Sequence, residues 1–131
     1  MRDIPNMVVL SPADDVSARK LIKACAAFEG PAYVRLGRAA APVVYPEDME
    51  FTIGKAVTVK EGNDVTIIST GCMLETCMKA AEQLAAEGIK ARVLDMHTIK
   101  PIDADAIVAA AKETKGIVTV GMIHTIVDVT K

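Results

Sequence analysis

The side chains able to do chemistry fall in three places along the chain. The first is "GPAYVRLGR", Gly30 to Arg38, where an apolar run ends in two arginines. The run Ala32–Leu36 reads as a strand buried in a sheet, so each guanidinium must serve either the fold or a ligand. Side chains alternate faces along a strand, so Arg35 and Arg38 should point to opposite sides and not act as a pair. Arg35, inside the strand, is assigned to the fold, as an ion pair or beneath a helix. Arg38 follows Gly37, just past the strand's carboxyl end. A planar guanidinium there suits a phosphate or carboxylate held by two parallel hydrogen bonds.

The second place is "DMHTIKPID", where His97 follows a strand ending near Asp95 or Met96. Open α/β sheets bind ligands beyond the carboxyl ends of their strands, so His97 is well placed to support a site. The other reading is that His97 and Lys100 are loop residues holding local carbonyls. His124, in the candidate last strand "IHTIV", carries the same two readings. The third place is Thr70-Gly71, between a strand and a helix. Backbone N–H groups there can receive an anion, or the glycine simply permits the turn. Cys25, Cys72 and Cys77 are odd in number and sit in helix-like contexts, as reduced thiols do. Cys72 and Cys77 lie roughly 140° apart around a helix, so they do not face one ligand. With His97 and His124 they form no metal-ligand pattern, and no metal site is expected. Nor does the chain contain GxGxxG, a Walker loop, HExxH or GxSxG.

The elements that must position these residues are legible. Met7–Leu10 is short and β-branched, like a buried strand. Ser11 should cap the following helix, with Pro12 at its first position and Asp14 completing a capping-box-like pair. Ala18, Leu21, Ile22, Cys25 and Phe28 recur at helical spacing, and Gly30-Pro31 stops the helix. From Ala39 to about Glu50, two prolines and no periodicity read as a linker. A second block then alternates strands and helices: Val57 and Val59, strand Val65–Ser69, a helix with Leu74, Cys77, Met78, Ala81, Leu84 and Ala85 on one stripe, strand Ala91–Asp95, helix Asp103–Glu113, strand Ile117–Val120. This is the pattern of an α/β fold, a parallel-dominated sheet with flanking helices. The first block has too little to bury a core by itself and reads as the end of a larger domain.

Composition narrows the partners. Of 131 residues 51% are hydrophobic and 24% charged, enough for a packed core. Net charge is -2 and the aromatics are only Phe28, Tyr33, Tyr45 and Phe51, so neither a basic patch nor a stacking platform for nucleic acid is present. The apolar runs are far shorter than the roughly 18 residues that span a membrane, and "MRDIPNMVVL" has no signal-peptide core. Cytoplasmic location is expected.

"DIPNMVVLSPAD", "GPAYVRLGR", "IGKAVTV…GNDVTIISTG", "ARVLDMHTIKPID" and "GIVTV" occur in the order and spacing of the transketolase-like thiamine-diphosphate enzymes. The chain resembles, over Ile4 to Val120, part of the C-terminal subunit of the transketolases made as two chains. The resemblance implies that residues 1–40 are the tail of a pyrimidine-binding-type domain, 41–50 a linker, and 51–131 a C-terminal-like domain, incomplete at its end. It implies transfer of a two-carbon ketol unit between sugar phosphates, with Arg38 on the substrate phosphate and no catalytic residue on this chain. It also implies thiamine diphosphate and Mg in the complete enzyme, with none on this chain alone. The expected partner is an N-terminal chain carrying the cofactor site, within a dimer or other homo-oligomer; nucleic acid and membrane are not expected as partners. The family's usual acidic pair and glycine turn are missing after Val120, where Gly121–Lys131 stands instead, although His124-Thr125-Ile126-Val127 still fits. A deoxyxylulose-phosphate synthase, a 2-oxo-acid dehydrogenase β-type chain and a non-catalytic α/β interaction module are the alternatives.

Overall fold

The computed structural model describes residues 1–38 and 40–121. Strand β1 (Val8–Leu10) leads to helix α1 (Asp15–Ala26) and strand β2 (Ala32–Val34). After an extended segment come β3 (Val57–Lys60), β4 (Val65–Ser69), a 3₁₀ turn (Gly71–Met73), α2 (Leu74–Ala86), β5 (Ala91–Asp95), β6 (Thr98–Lys100), α3 (Ala104–Glu113) and β7 (Ile117–Val120).

They form two sheets, of strand order β2-β1-β6 and β3-β5-β4-β7. In the larger sheet β4 runs parallel to both β5 and β7, and β3 is antiparallel at the edge beside β5. Alternation along the strands fills both faces. Ile67 and Val93 pack with Leu74, Cys77 and Ala81 of α2, while Ile68 and Leu94 pack with Ile107 and Ala110 of α3. The parallel-dominated sheet with flanking helices is therefore as the periodicity implied. The first core also takes in Val8, Leu10, Val16 and Leu21, so the short N-terminal block buries these residues against the second block, while Ile22 and Phe28 stay exposed.

Three local expectations change. Helix α1 is capped by Asp14, not Ser11: Asp14 Oδ1 accepts from the Ser17 N–H at 2.8 Å, and Ser17 Oγ accepts from the Asp14 N–H at 3.0 Å. Ser11 is still engaged in pairing, its N–H donating to the His97 carbonyl at 2.8 Å. Strand β2 stops at Val34 and lies at a sheet edge, so Tyr33 and Leu36 are exposed rather than buried. Strand β6 was not expected from the sequence. Its three residues pair antiparallel with β1, Leu10 opposite Thr98 and Val9 opposite Lys100. A strand that short shows no measurable alternation.

Lys100 does hold carbonyls, donating to those of Arg2 at 2.9 Å and Ile4 at 2.8 Å. They come from the N-terminal turn, distant in sequence and adjacent in space. Among the described residues no helix is long and apolar enough to cross a membrane.

The turn between β3 and β4 lies against the start of β5. A Cβ on Gly62 would stand 2.4 Å from the Ala91 carbonyl carbon and the Arg92 nitrogen, which are backbone atoms with little room to shift. Gly62→Ala should cost about 2 kcal/mol or more, seen as a lower urea midpoint. An unchanged midpoint would mean that this turn does not sit on β5 as described.

Candidate functional site

The carboxyl ends of β1, β2 and β4 converge on a cleft of about 540 Å³. Its floor is Ser11 and Pro12, between β1 and α1. One wall is the chain after β2, with Arg35, Gly37, Arg38 and then Ala40 to Pro42. The other wall is Thr70 to Met73 with Glu75, where β4 passes into α2. Open α/β sheets present their ligand sites at this end of the strands. A second, smaller groove between α2, β4 and β7 is lined by residues such as Val65, Ile67, Leu84 and Val118 and offers no charged side chain.

The second wall meets the floor because residue 71 is glycine. Gly71 has φ +61°, and a Cβ there would come within 2.7 Å of Ser11 Oγ. The glycine permits both the turn and the close approach of the second block to the first. The amide end of the turn leading into α2 thereby faces the same cleft as the arginines.

Arg35 and Arg38 line this one cleft, Arg35 half-buried and Arg38 exposed. The expectation that they point to opposite sides fails because β2 ends at Val34, so strand alternation does not govern residues 35–38. Glu75, the acidic residue on the opposite wall, is paired with Lys79 one helical turn on. Cys72 lines the cleft and Cys77 is buried in the core; both are free thiols.

His97 does not line the cleft. It is fully buried, with Nδ1 3.0 Å from the Thr98 hydroxyl and the Phe51 ring edge-on at a centroid distance of 5.4 Å. Burial pushes its pKa down to about 4, so the ring is neutral at ordinary pH. His124 lies outside the described residues.

Sequence reasoning overlooked the polar group behind the cleft. Asp95 ends β5 with no exposed surface, and the Tyr45 hydroxyl donates to its Oδ2 at 2.7 Å. Burial raises the Asp95 pKa to about 7, with the Asp14 charge adding to it and the Tyr45 bond opposing it. Asp14 has a second task beyond capping α1: its Oδ2 accepts from the N–H groups of Val44 at 2.8 Å and Tyr45 at 2.9 Å. Burial pushes the Asp14 carboxyl up, but hydrogen bonds from Ser17, Tyr45 and Val44 outweigh it and hold the group below its ordinary value. The available signal was an aspartate closing the apolar strand "ARVLD", which is unusual for a buried position.

These two buried groups, Asp95 and His97, oppose each other in pH dependence. Unfolded, Asp95 loses its proton near pH 3.8; folded, near 7, so its contribution fades as pH rises across that span. His97 takes up a proton near pH 6.5 unfolded but near 4 folded, so its contribution is lost as pH falls. Between about pH 5 and 6.5 the two should nearly cancel. Asp95→Asn should then become more stable as pH rises, and His97→Asn less stable, each with a slope of up to about 1.4 kcal/mol per pH unit. Urea unfolding of the three chains across that window checks this; parallel curves would contradict it.

The sequence of residues 54–125 matches the family model "Transketolase, C-terminal domain", which is more than half of the chain. The 6-deoxy-6-sulfo-D-fructose transketolase subunit SqwH of Clostridium sp. (strain MSTE9) is 44% identical over 119 residues, covering 91% of this chain and 37% of that protein. An apulose-4-phosphate transketolase subunit of Phocaeicola vulgatus is 46% identical over 121 residues, covering 92% of this chain and 39% of that protein. A solved structure described as "Split gene transketolase, inactive beta4 tetramer" matches with a TM-score of 0.90 at 45% identity, over 92% of this chain and 40% of that one. The chain thus spans about two fifths of the length of each of these relatives. With the fold shared and the domain model matched across both faces of the larger sheet, the chain belongs to the transketolase C-terminal domain family.

Proposed function

We propose that the chain is the C-terminal part of a split transketolase-like enzyme that transfers a two-carbon ketol unit between sugar phosphates. Arg38 grips the phosphate of the sugar at the cleft mouth. The observation that carries this reading is the pair Arg35 and Arg38 on one cleft at the carboxyl ends of three strands. The relatives' names lend support: one specifies a sugar with a sulfo group, the other a sugar phosphate, and both are anions a guanidinium can hold.

The division of labour follows from what the cleft offers. The acidic side chain on the cleft, Glu75, is already paired with Lys79. We assign thiamine diphosphate and its metal to a partner chain, as the resemblance to the split transketolases implies. Residues 1–40 form the tail of a pyrimidine-binding-type domain, 41–50 the linker and 51–131 the C-terminal-like domain. His97 supports the site from behind through Phe51, and His124 is kept as a supporting residue. The complete enzyme works in the cytoplasm as an oligomer of both chains, and this chain alone is inactive.

Two measurements test the reading. In the assembled enzyme, Arg38→Ala should raise KM for a phosphorylated acceptor roughly tenfold or more, the scale of one lost charged hydrogen bond pair, and leave an unphosphorylated acceptor within about twofold. Equal effects on both acceptors would overturn the role of Arg38. Calorimetric titration of the chain alone with thiamine diphosphate and Mg²⁺ should show no binding, and binding by the chain alone would overturn the assignment of the cofactor to a partner.

A further inference from the structure

Ala40, Ala41 and Pro42 line the cleft and belong to no helix or strand. Their nearest anchors are Val44 and Tyr45, whose N–H groups share Asp14 Oδ2, and the Tyr45 hydroxyl, which donates to Asp95 at 2.7 Å. Asp14 caps α1, beside the smaller sheet, and Asp95 ends β5 in the larger one. Tyr45 thus bridges the two, with its ring edge-on to Phe51 at 4.9 Å.

We propose that Tyr45 and Asp95 form a latch that positions the cleft wall and Arg38, so that anion binding in the cleft depends on the Tyr45–Asp95 hydrogen bond. The dependence on an anion rests on the reading of Arg38 given above; the latch itself does not. Both residues are positioning residues, since neither lines the cleft.

The chemistry of Asp95 makes the latch responsive. Its Oδ1 is buried without a hydrogen-bond partner, beside Ser69, its register partner on β4. The groups facing Asp95 are Tyr45 from the linker, Asp14 from α1, Cys77 from α2 and Ser69 from β4, and none of these is a cation. His97, two residues along, is held neutral by burial. Neutral Asp95 fits this surrounding. Ionised Asp95 leaves a buried charge with one donor, and it gains further donors by letting water into the junction that the linker closes. Because the closed junction raises the Asp95 pKa from 3.8 to about 7, opening grows easier as pH rises through that span and levels off above about pH 7.

Amide exchange of residues 40–45, corrected for intrinsic rates, tests the latch on the full chain. From about pH 6 to pH 8 the wild-type segment should lose protection about tenfold, most of it before the change levels off above about pH 7. Asp95→Asn cannot ionise and should stay protected at both pH values. Tyr45→Phe loses one oxygen and should be poorly protected at both, while β4 and β5 stay protected and report that the chain is folded. Protection of residues 40–45 that is the same in wild type and Tyr45→Phe at pH 6 would overturn the latch. Sulfate, which does not titrate in this range, probes the coupling by chemical shifts at Gly37 and the Arg38 side chain. Wild-type affinity should fall several-fold from about pH 6 to pH 8, and that of Asp95→Asn should not. A pH-independent wild-type affinity would overturn the coupling. If sulfate fails to bind the wild type at any pH, the anion reading of the cleft falls, and the exchange data still decide the latch.

Discussion

Everything at the cleft depends on how the chain crosses from one sheet to the other at Met96 and His97. The Met96 N–H completes the larger sheet by donating to the Ser69 carbonyl at 2.8 Å. The next residue's carbonyl serves the smaller sheet, accepting from the Ser11 N–H at 2.8 Å. Both residues are buried, so neither backbone group has water as a substitute partner. This crossing brings the end of β4 beside the end of β1, and the glycine at 71 lets the two turns touch. A cleft lined from both blocks follows from that contact.

The same junction explains why polar groups are buried there. Tyr45, Asp95, Ser69, Thr98 and His97 lie where two sheets and a linker meet, and the elements around them cannot be apolar on every side. Burial there is partly compensated: the Tyr45 hydroxyl satisfies one oxygen of Asp95, and the Thr98 hydroxyl accepts from the Gly54 N–H and lies 3.0 Å from His97 Nδ1, while Asp95 Oδ1 stays unpaired. The linker, without helix or strand, is thereby tied to both blocks through side chains rather than through a ladder of backbone bonds. Exposed pairs such as Arg19 with Glu47 and Lys20 with Glu50 add contacts along its outer side, where solvent screening leaves them weak.

Elements with strong periodicity were legible in the sequence to the residue. Strands Val65–Ser69, Ala91–Asp95 and Ile117–Val120 and the helix capped by Asp103 lie where alternation and capping residues put them. What could not be read was set by tertiary pairing. Three-residue β6 carries no period, α1 begins at Asp15 and so takes Asp14 as its cap while Ser11 still pairs with His97, and the end of β2 at Val34 lets both arginines line one cleft. For the site, Arg38 and Gly71 could be singled out by position after a strand. The pairing of Asp95 with Tyr45 could not, because fifty residues separate the two ends of their hydrogen bond.

The role of the cleft is decided by a crystal structure of the chain assembled with a cofactor-bearing partner and a bound sugar phosphate. The phosphate should lie in the cleft between Arg35, Gly37 and Arg38 on one side and Thr70 to Met73 on the other, within hydrogen-bond distance of the Arg38 guanidinium. A phosphate held wholly by the partner, with Arg38 facing solvent, would contradict the assignment of this cleft to the substrate.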